Sequence, residues 1–586
     1  MSTPIETLRH SLSHVLALAV QRIYGSDVKF GTGPAVENGF YYDLELSTSL
    51  TESDLPKIQK VMEKIIQEKI HFQKKTMPWL ESFEFFKAKN QPYKLELLDK
   101  IVLEKISKDE RIKVKEDILV THFQLGDFED LCRGPLVKNT QELQKIGFLL
   151  EKTAGAYWQG DEKNPMLTRI SGLAFKSQKE LQKFLSLKEE AKKRDHKKIG
   201  RELDLFSFHK EALGSAYWHP KGMIIWNELE KYGKSLRHQN GYQEIQTPQL
   251  AKSSLWIKSG HWDHYKDSMF HFDYEKETYC LKPMDCPFNI QIYQTQPKSY
   301  KELPVRYTEI GRIIRNEKSG ELNGLFRLRA LSQDDAHIFL KENQIKQEII
   351  TALKMVKNYY KTFDLKPEFY LSTRPDDFLG QQKIWDKAEK NLTEALTEEG
   401  IRFQLKEKDG AFYGPKIDVD MRDSLGRKWQ LATIQLDFQL PQKFKLEYAD
   451  KDGKKKTPVM IHAAVFGSIE RFIGILTEHL AGNFPFWLSP VQIKIVTVSE
   501  KHWKYCQKLQ QELLQNNFRV EIDNQNESVG KKIRQAISEK IPYVIVIGDK
   551  EIESGNLAVR HRDTGQTINI NQKEFLRKIQ KELPKI

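Results

Sequence analysis

The sequence predicts an α+β chain of several domains, built around a large antiparallel sheet and closed by a smaller α/β domain. Three observations carry that expectation. Extended runs in the middle of the chain alternate polar and apolar residues with a period of two. From Pro490 onward, strand-like and helix-like segments alternate instead. At 586 residues the chain is also too long for a single hydrophobic core.

In chain order, residues 1–175 mix helix (7–24 and the charged 55–68) with short strands such as "GFYYDLEL". Residues 177–204, "SQKELQKFLSLKEEAKKRDHKKIGRELD", are dense in charge and free of proline, which predicts a connecting helix with a solvated face. Residues 205–488 are rich in β-branched and aromatic runs. Residues 489–586 read as "IKIVTV", a helix near 501–514, "RVEID", a helix near 528–540, "YVIVIG", "NLAVRHR" and a closing helix.

The clearest alternation is "GLFRLRALSQDDAHIF", residues 324–339. Its odd positions carry Arg327, Arg329, Gln333, Asp335 and His337, and its even positions are mostly apolar. Upstream, "RYTEIGRIIRNE" gives Glu309, Arg315 and Glu317 a common parity, and "KSGELNG" between the two runs supplies turn signals. A long antiparallel hairpin is expected. In "WQLATIQLDF", Thr433, Gln435 and Asp437 share a face opposite Ile434, Leu436 and Phe438. Two readings stay open on this pattern: a cleft floored by a polar sheet, or a sheet with one wet side.

Composition narrows the class. With 39% hydrophobic and 30% charged residues, the chain has the make-up of a globular protein. A formal net charge of +12 fits either a lysine-rich solvated surface or a polyanionic partner. The four cysteines (132, 280, 286 and 506) form no C-x-x-C pair, so neither a disulfide framework nor a zinc ribbon is suggested and a reducing compartment is expected. No apolar run approaches membrane-spanning length and no secretory leader is visible, so a cytoplasmic location is expected.

Several fragments, taken in order, resemble one family. "IIRNE" followed by a loop and a second arginine run resembles motif 2 of the class II aminoacyl-tRNA synthetases, "GSIERFIGIL" resembles motif 3, and "YQEIQTPQL" resembles the dimer-forming motif 1. With "DLCRGP", "AGAYWQGD", "KPMDCP", "SQDDAHIF", "GAFYGPKID" and "VMIH", the chain resembles the threonyl-tRNA synthetases over its whole length. The resemblance implies an editing domain at 1–175, a connecting helix at 176–204, a class II catalytic domain at 205–488 and an anticodon-binding domain at 489–586. It implies a homodimer that uses threonine, ATP with Mg²⁺ and threonine tRNA, with no membrane association. An inhibitor-tolerant or catalytically reduced RNA-binding copy of the enzyme is the alternative.

By the same resemblance, Arg315 and Arg471 are the catalytic arginines, and Glu317, Arg327 and Lys416 complete the ATP site. Gln333, Asp335, Tyr413, Thr433 and Gln435 are expected around threonine, with Asp335 on its ammonium group. Zinc is expected on Cys286, His337 and His462; their spacing follows no metal motif, and the resemblance alone supplies the set. Such a metal would read the amino and hydroxyl groups that valine cannot both offer. The hydrolytic site for seryl-tRNA is expected at His10, His14, Lys94, Asp130 and Cys132, and the anticodon contacts at Asn526, Arg534, Glu551 and Arg560.

The sequence also departs from the family pattern. Phe288 and Asn289 follow the cysteine, Leu331 replaces an aromatic residue, Leu431 and Ala432 stand in "QLAT", and Ala463 stands in "IHAA". These changes are expected to line the catalytic pocket. Leu136 replaces a histidine four residues after Cys132, and the chain is expected to lack the small ubiquitin-like domain with which many bacterial relatives begin.

Overall fold

A computed structural model describes residues 3–108, 118–423 and 426–584. It divides into two compact units, Met1–Glu189 and Glu190–Ile586, with the division inside helix Gln178–Arg194.

In the first unit, helix α1 (Ile5–Tyr24) is buried along most of its length. Leu12, Val15, Leu16 and Ala19 pack with Phe40, Tyr42, Leu44 and Phe128 in one apolar core. One antiparallel sheet runs Lys29–Phe30, Gly39–Glu45, Met166–Phe175, Gly147–Tyr157. A second sheet, Phe72–Pro78, Leu119–Leu125 and Phe128–Leu131, carries Asp130 and leads into Cys132. A Ser82–His122–Glu129 hydrogen-bonded chain looks like a hydrolase triad, but Ser82 and His122 are fully enclosed and His122 stacks on Phe86. It braces the core.

The second unit opens with a short helix, α2 (His196–Glu202). The single connecting helix expected at 176–204 is therefore two. Asp195 ends the first and caps the second, its carboxylate accepting from Lys197 N at 2.7 Å.

The main sheet has eight strands. Its inner five are β1 (Val305–Ile314), β2 (Ala330–Leu340), β3 (Lys416–Arg422), β4 (Lys428–Asp437) and β5 (Val459–Ala464), in the spatial order β1-β2-β5-β4-β3 and all antiparallel. Short strand Gln243–Glu244 flanks β1, and Glu368–Ser372 with Phe403–Lys406 extend the β3 edge. One face of the sheet presents Ala336, Ile338, Ile434, Leu436 and Ile461 to the core formed with helices Pro220–Gln239 and Ile345–Thr362 and helix α3 (Ile469–His479). The opposite face is left for polar side chains, as period-two alternation requires.

Two details differ from expectation. β1 ends at Ile314, so Arg315 and Glu317 lie beyond the strand, while Glu309 is buried within it. Residues 324–329 form a turn rather than the start of β2, because Gly324 takes a φ of +49°. The alternation therefore holds from Ala330 onward and not before.

Toward the C-terminus, a five-stranded sheet runs Val520–Asp523, Ile493–Thr497, Tyr543–Ile547, Asn556–His561, Thr567–Asn571. The first three strands are parallel and the last two antiparallel. Thr567–Asn571 was not anticipated, because "TININ" is short and half polar.

Candidate active site

Strand register assembles the centre of the site. Tyr307, His337, His462, Gln435 and Lys416 lie side by side across β1, β2, β5, β4 and β3. Directly opposed residues share a face, so five side chains from distant parts of the chain form one row. Two residues along β2, Asp335 stands beside that row; Gln333 and Leu331 follow.

A cavity of about 530 Å³ opens over this face, lined by Arg315, Gln333, Tyr413, Lys416, Thr433, Gln435 and Arg471 among others. Lys416 pairs with Asp418 at 2.9 Å, and Asp418 Oδ1 also accepts from Gln430 Nε2 at 2.5 Å. Arg315 Nε donates to Pro283 O at 3.2 Å. Arg471 lies in the first turn of α3, where Ser468 Oγ accepts from its backbone N–H. Its Nε and Nη1 donate to the carbonyls of Phe326 and Gln430, each at 2.8 Å. Burial, then the positive charges of Arg315 and Arg327, lower the Arg471 pKa to about 10. Cations crowded together in this way favour an anionic ligand.

Arg327 and Glu317 stand apart from the cavity lining. Glu317 Oε2 accepts from Arg327 Nε at 2.8 Å, and Arg327 also reaches Glu321 at 2.7 Å.

Cys286, His337 and His462 are all buried, and their ligand atoms lie within 4.8 Å of one another. His337 Nε2 and His462 Nδ1 face each other at 3.1 Å. The far nitrogen of His462 meets Asp437 Oδ2 at 3.0 Å. Burial, and then the neighbouring His462, push the pKa of His337 well down. Asp335 has its pKa raised to about 7 by burial, and its Oδ2 lies 3.7 Å from His337 Nε2.

In the first unit, His10 and His14 sit one turn apart on α1, with ring centroids 5.3 Å apart. His10 Nε2 lies 3.4 Å from Cys132 Sγ. Lys94 is ion-paired to Asp130 and donates to Gly31 O at 2.6 Å; Tyr42 donates to the other Asp130 oxygen. The five expected residues thus form one cluster. Leu136 turns inward and packs against the apolar core.

In the C-terminal sheet, Asn526 and Glu551 follow the carboxyl ends of the parallel strands Val520–Asp523 and Tyr543–Ile547. Asn526 lines a cavity of about 360 Å³ with Ser499 and Trp503. Glu551 Oε2 accepts from Gly548 N at 2.9 Å. Arg534 is exposed on helix Val529–Ser538, and Arg560 is paired mid-sheet with Val544.

Comparison with known proteins decides the family. The tRNA synthetase class II core domain (G, H, P, S and T) matches residues 269–480. The anticodon binding domain matches 492–582, and the threonyl and alanyl tRNA synthetase second additional domain matches 120–171. The threonine–tRNA ligase of Clostridium novyi (strain NT) is 46% identical over 578 residues, covering 99% of this chain and 88% of the relative. The corresponding enzyme of Clostridium tetani (strain Massachusetts / E88) is 44% identical over 578 residues, with the same coverage.

The chain belongs to the threonine–tRNA ligase family.

Among solved structures, the RNA binding domain of threonyl-tRNA synthetase from Cryptosporidium parvum Iowa II matches with a TM-score of 0.64 and 38% identity, covering 66% of this chain and 98% of that one. The Giardia lamblia prolyl-tRNA synthetase shares the fold at a TM-score of 0.54 and 18% identity, covering 68% of this chain and 79% of that one. As a member of the threonine–tRNA ligases, the chain is a class II aminoacyl-tRNA synthetase, and the catalytically reduced alternative is not favoured. The family implies ATP and Mg²⁺.

The donor set also fits the zinc that the resemblance implies. One thiol and two imidazoles, all buried, with burial holding the His337 pKa well down, are ligands that zinc accepts in a three-protein-ligand site. Asp437 on the remote nitrogen of His462 is the kind of outer carboxylate that orients a metal-binding histidine.

The departures from the family pattern prove not to act as a group. Leu331 and Leu431 line the cavity. Ala432 and Ala463 face the apolar core, because their strand parity is opposite to that of Thr433 and His462. Phe288 and Asn289 lie behind Cys286: Phe288 packs on Trp256, and Asn289 Nδ2 donates to Glu309 Oε1 at 3.1 Å.

Sequence reasoning overlooked His261. It is buried, with Nε2 3.8 Å from Cys286 Sγ and Nδ1 2.7 Å from Ser259 Oγ. The Ser-Gly pair preceding it is a helix-stop signal, and Gly260 does take the left-handed conformation there. That turn could have drawn attention to the histidine after it.

Proposed function

We propose that this chain makes threonyl-tRNA in two steps within the 530 Å³ cavity. The threonine carboxylate attacks the α-phosphorus of ATP, forming the mixed anhydride and releasing pyrophosphate. A hydroxyl of the terminal tRNA ribose then attacks the threonyl carbonyl, and AMP leaves. The observation that carries this reading is the convergence of Arg315 and Arg471 on one cavity with Lys416 and Gln435, which belong to the in-register row that continues to His462 and His337. Fixed guanidinium forks stabilise charge that grows on the phosphate oxygens and need no rearrangement to do so.

Cys286, His337 and His462 would hold a zinc ion, which when bound supplies a Lewis-acid contact for the threonine amino and hydroxyl groups. Asp335, beside His337, receives the substrate ammonium, and Gln333, Thr433, Gln435 and Tyr413 shape the threonine pocket. Glu317 and Arg327 belong to the ATP site as a loop pair that closes over the nucleotide.

Residues 1–175 are assigned to hydrolysis of seryl-tRNA, supported by the clustering of His10, His14, Lys94, Asp130 and Cys132. Residues 489–586 are assigned to reading the anticodon. Asn526 and Glu551 at the strand ends, with Arg534 and Arg560, are the contacts. A homodimer working in the cytoplasm completes the reading; among the described residues no helix is long and apolar enough to cross a membrane.

The test is threonine-dependent exchange of pyrophosphate into ATP, followed by charging of threonine tRNA. A chain that exchanges with neither threonine nor another amino acid would overturn the catalytic reading.

A further inference from the structure

His196, the first residue of α2, is buried and both of its ring nitrogens are committed. Nδ1 lies 2.8 Å from Glu478 Oε1, and Nε2 accepts from the Leu325 amide at 3.0 Å. An amide N–H can only donate, so Nε2 is the bare nitrogen and Nδ1 carries the proton toward the carboxylate. The neighbouring donors Asp195, His196 and Glu478 lie close enough to suggest a metal site, but no imidazole lone pair is left to bind one.

The same contacts form a closed circuit. The Phe326 ring lies tilted against the His196 ring, with centroids 4.3 Å apart, and the Phe326 carbonyl accepts from Arg471 Nε at 2.8 Å. Arg471 and Glu478 both lie on α3, seven residues or two turns apart and therefore on one face. The backbone of residues 324–326 is thus held at one end of α3 by Arg471 and at the other, through His196, by Glu478. The loop comes this close only because residue 324 is glycine: a Cβ there would stand 2.3 Å from His196 Nε2.

We propose that His196 is a positioning residue for the nucleotide. By tying the 324–326 backbone to Glu478, it fixes the Phe326 carbonyl that aims Arg471 into the cavity. This rests on reading that cavity as the ATP site.

The test uses the full chain and calorimetric titration with a non-hydrolysable ATP analogue and Mg²⁺. His196→Ala should weaken analogue binding about tenfold, the scale of one or two net hydrogen bonds, while threonine affinity stays unchanged. Glu478→Gln keeps an oxygen acceptor and should bind nearly as wild type; Glu478→Leu should resemble His196→Ala. In an Arg471→Ala background, His196→Ala should add nothing further.

Unchanged analogue affinity in His196→Ala would overturn the proposal, as would the same tenfold loss persisting without Arg471. If His196→Ala does not fold, the Glu478 pair decides: equal affinities for Gln and Leu overturn it. Wild-type chain that binds the analogue yet exchanges no pyrophosphate defeats the functional reading and leaves this test intact. Wild-type chain that binds no nucleotide defeats both.

Discussion

The two units each bring one cysteine and two histidines within ligand distance, yet the surroundings differ at every point. His10, His14 and Cys132 come from one helix and an adjoining loop, and His10 is only partly buried. Cys286, His337 and His462 come from a helix start and two paired strands, and all three are buried. In the second set a carboxylate, Asp437, orients one imidazole from behind. In the first, Asp130 is already neutralised by Lys94 and capped by Tyr42. The same three side chains therefore form a fully buried donor set backed by a carboxylate in one unit, proposed above to hold zinc, and a less enclosed polar cluster in the other, proposed above to serve hydrolysis. Residue identity alone does not distinguish them; the elements that carry the residues do.

The largest effect that would sharpen this contrast is loss of the second set. Cys286→Ala should abolish threonine activation, by a factor on the order of 10³ or more if substrate binding needs the metal. Bound zinc, measured by elemental analysis, should fall from one per chain to none. Cys132→Ala should leave both quantities unchanged. Equal zinc loss in the two variants would erase the distinction.

Next in size is Arg315→Ala, expected to slow pyrophosphate exchange on the order of 10²-fold, the scale for removing one preorganised charge partner from a reacting phosphate. Arg327→Ala should cost much less, because Arg327 is exposed and shared between Glu317 and Glu321. If the two losses are equal, Arg327 in the closed loop pair holds the nucleotide as firmly as Arg315 does.

That difference between two arginines shows where the sequence was legible. Period-two alternation correctly placed Gln333, Asp335 and His337 on one face of β2, because hydrogen-bonded strands leave no other arrangement. It failed at Arg327, where a turn at Gly324 interrupts the strand. It also passed over Asp334, a carboxylate on the apolar face that is held by Arg237 at 3.1 Å and by the Val465 amide at 2.8 Å. Its partner lies 97 residues away, and no local pattern announces such a pair. The candidate metal set was invisible to spacing for the same reason: cross-strand register, a tertiary property, is what sets His337 against His462.

A pH profile separates the chemistry of the two sets more gently. Burial lowers the pKa of His10 and takes His14 to about 3, while the Cys132 thiol is pushed up to about 12. Hydrolysis of seryl-tRNA should therefore show no limb near the ordinary histidine pKa of about 6.5, and no thiolate nucleophile should form. The stability sign follows from the same burial. Below about pH 6.5 an unfolded histidine binds a proton, whereas native His14 stays neutral down to about 3. Stability is thus full above that window and declines as pH falls through it. A histidine limb in the hydrolysis profile would mean that the pocket opens to water when tRNA binds.

The smallest expected effect concerns Leu136. Serine keeps both groups that a threonine-reading metal would contact and is smaller than threonine, so a synthetic pocket gains little discrimination from the missing methyl. A separate hydrolytic site is the remedy. Leu136 sits at its margin: the next residue, Val137, donates its amide to Ser11 Oγ at 3.0 Å, on the helix that carries His10 and His14. The leucine side chain packs into the apolar core and offers the site no polar atom. Losing one orienting group of several attenuates proton transfer rather than ending it. Wild-type chain should therefore deacylate seryl-tRNA at a measurable rate. Leu136→His should raise that rate a few-fold, with a small loss of stability from the vacated apolar contacts. The His10→Ala, His14→Ala double variant should remove hydrolysis while threonine activation continues in the other unit. If wild-type chain spares seryl-tRNA entirely and Leu136→His restores nothing, the first unit is a docking module for tRNA, and its histidines and cysteine are packing residues.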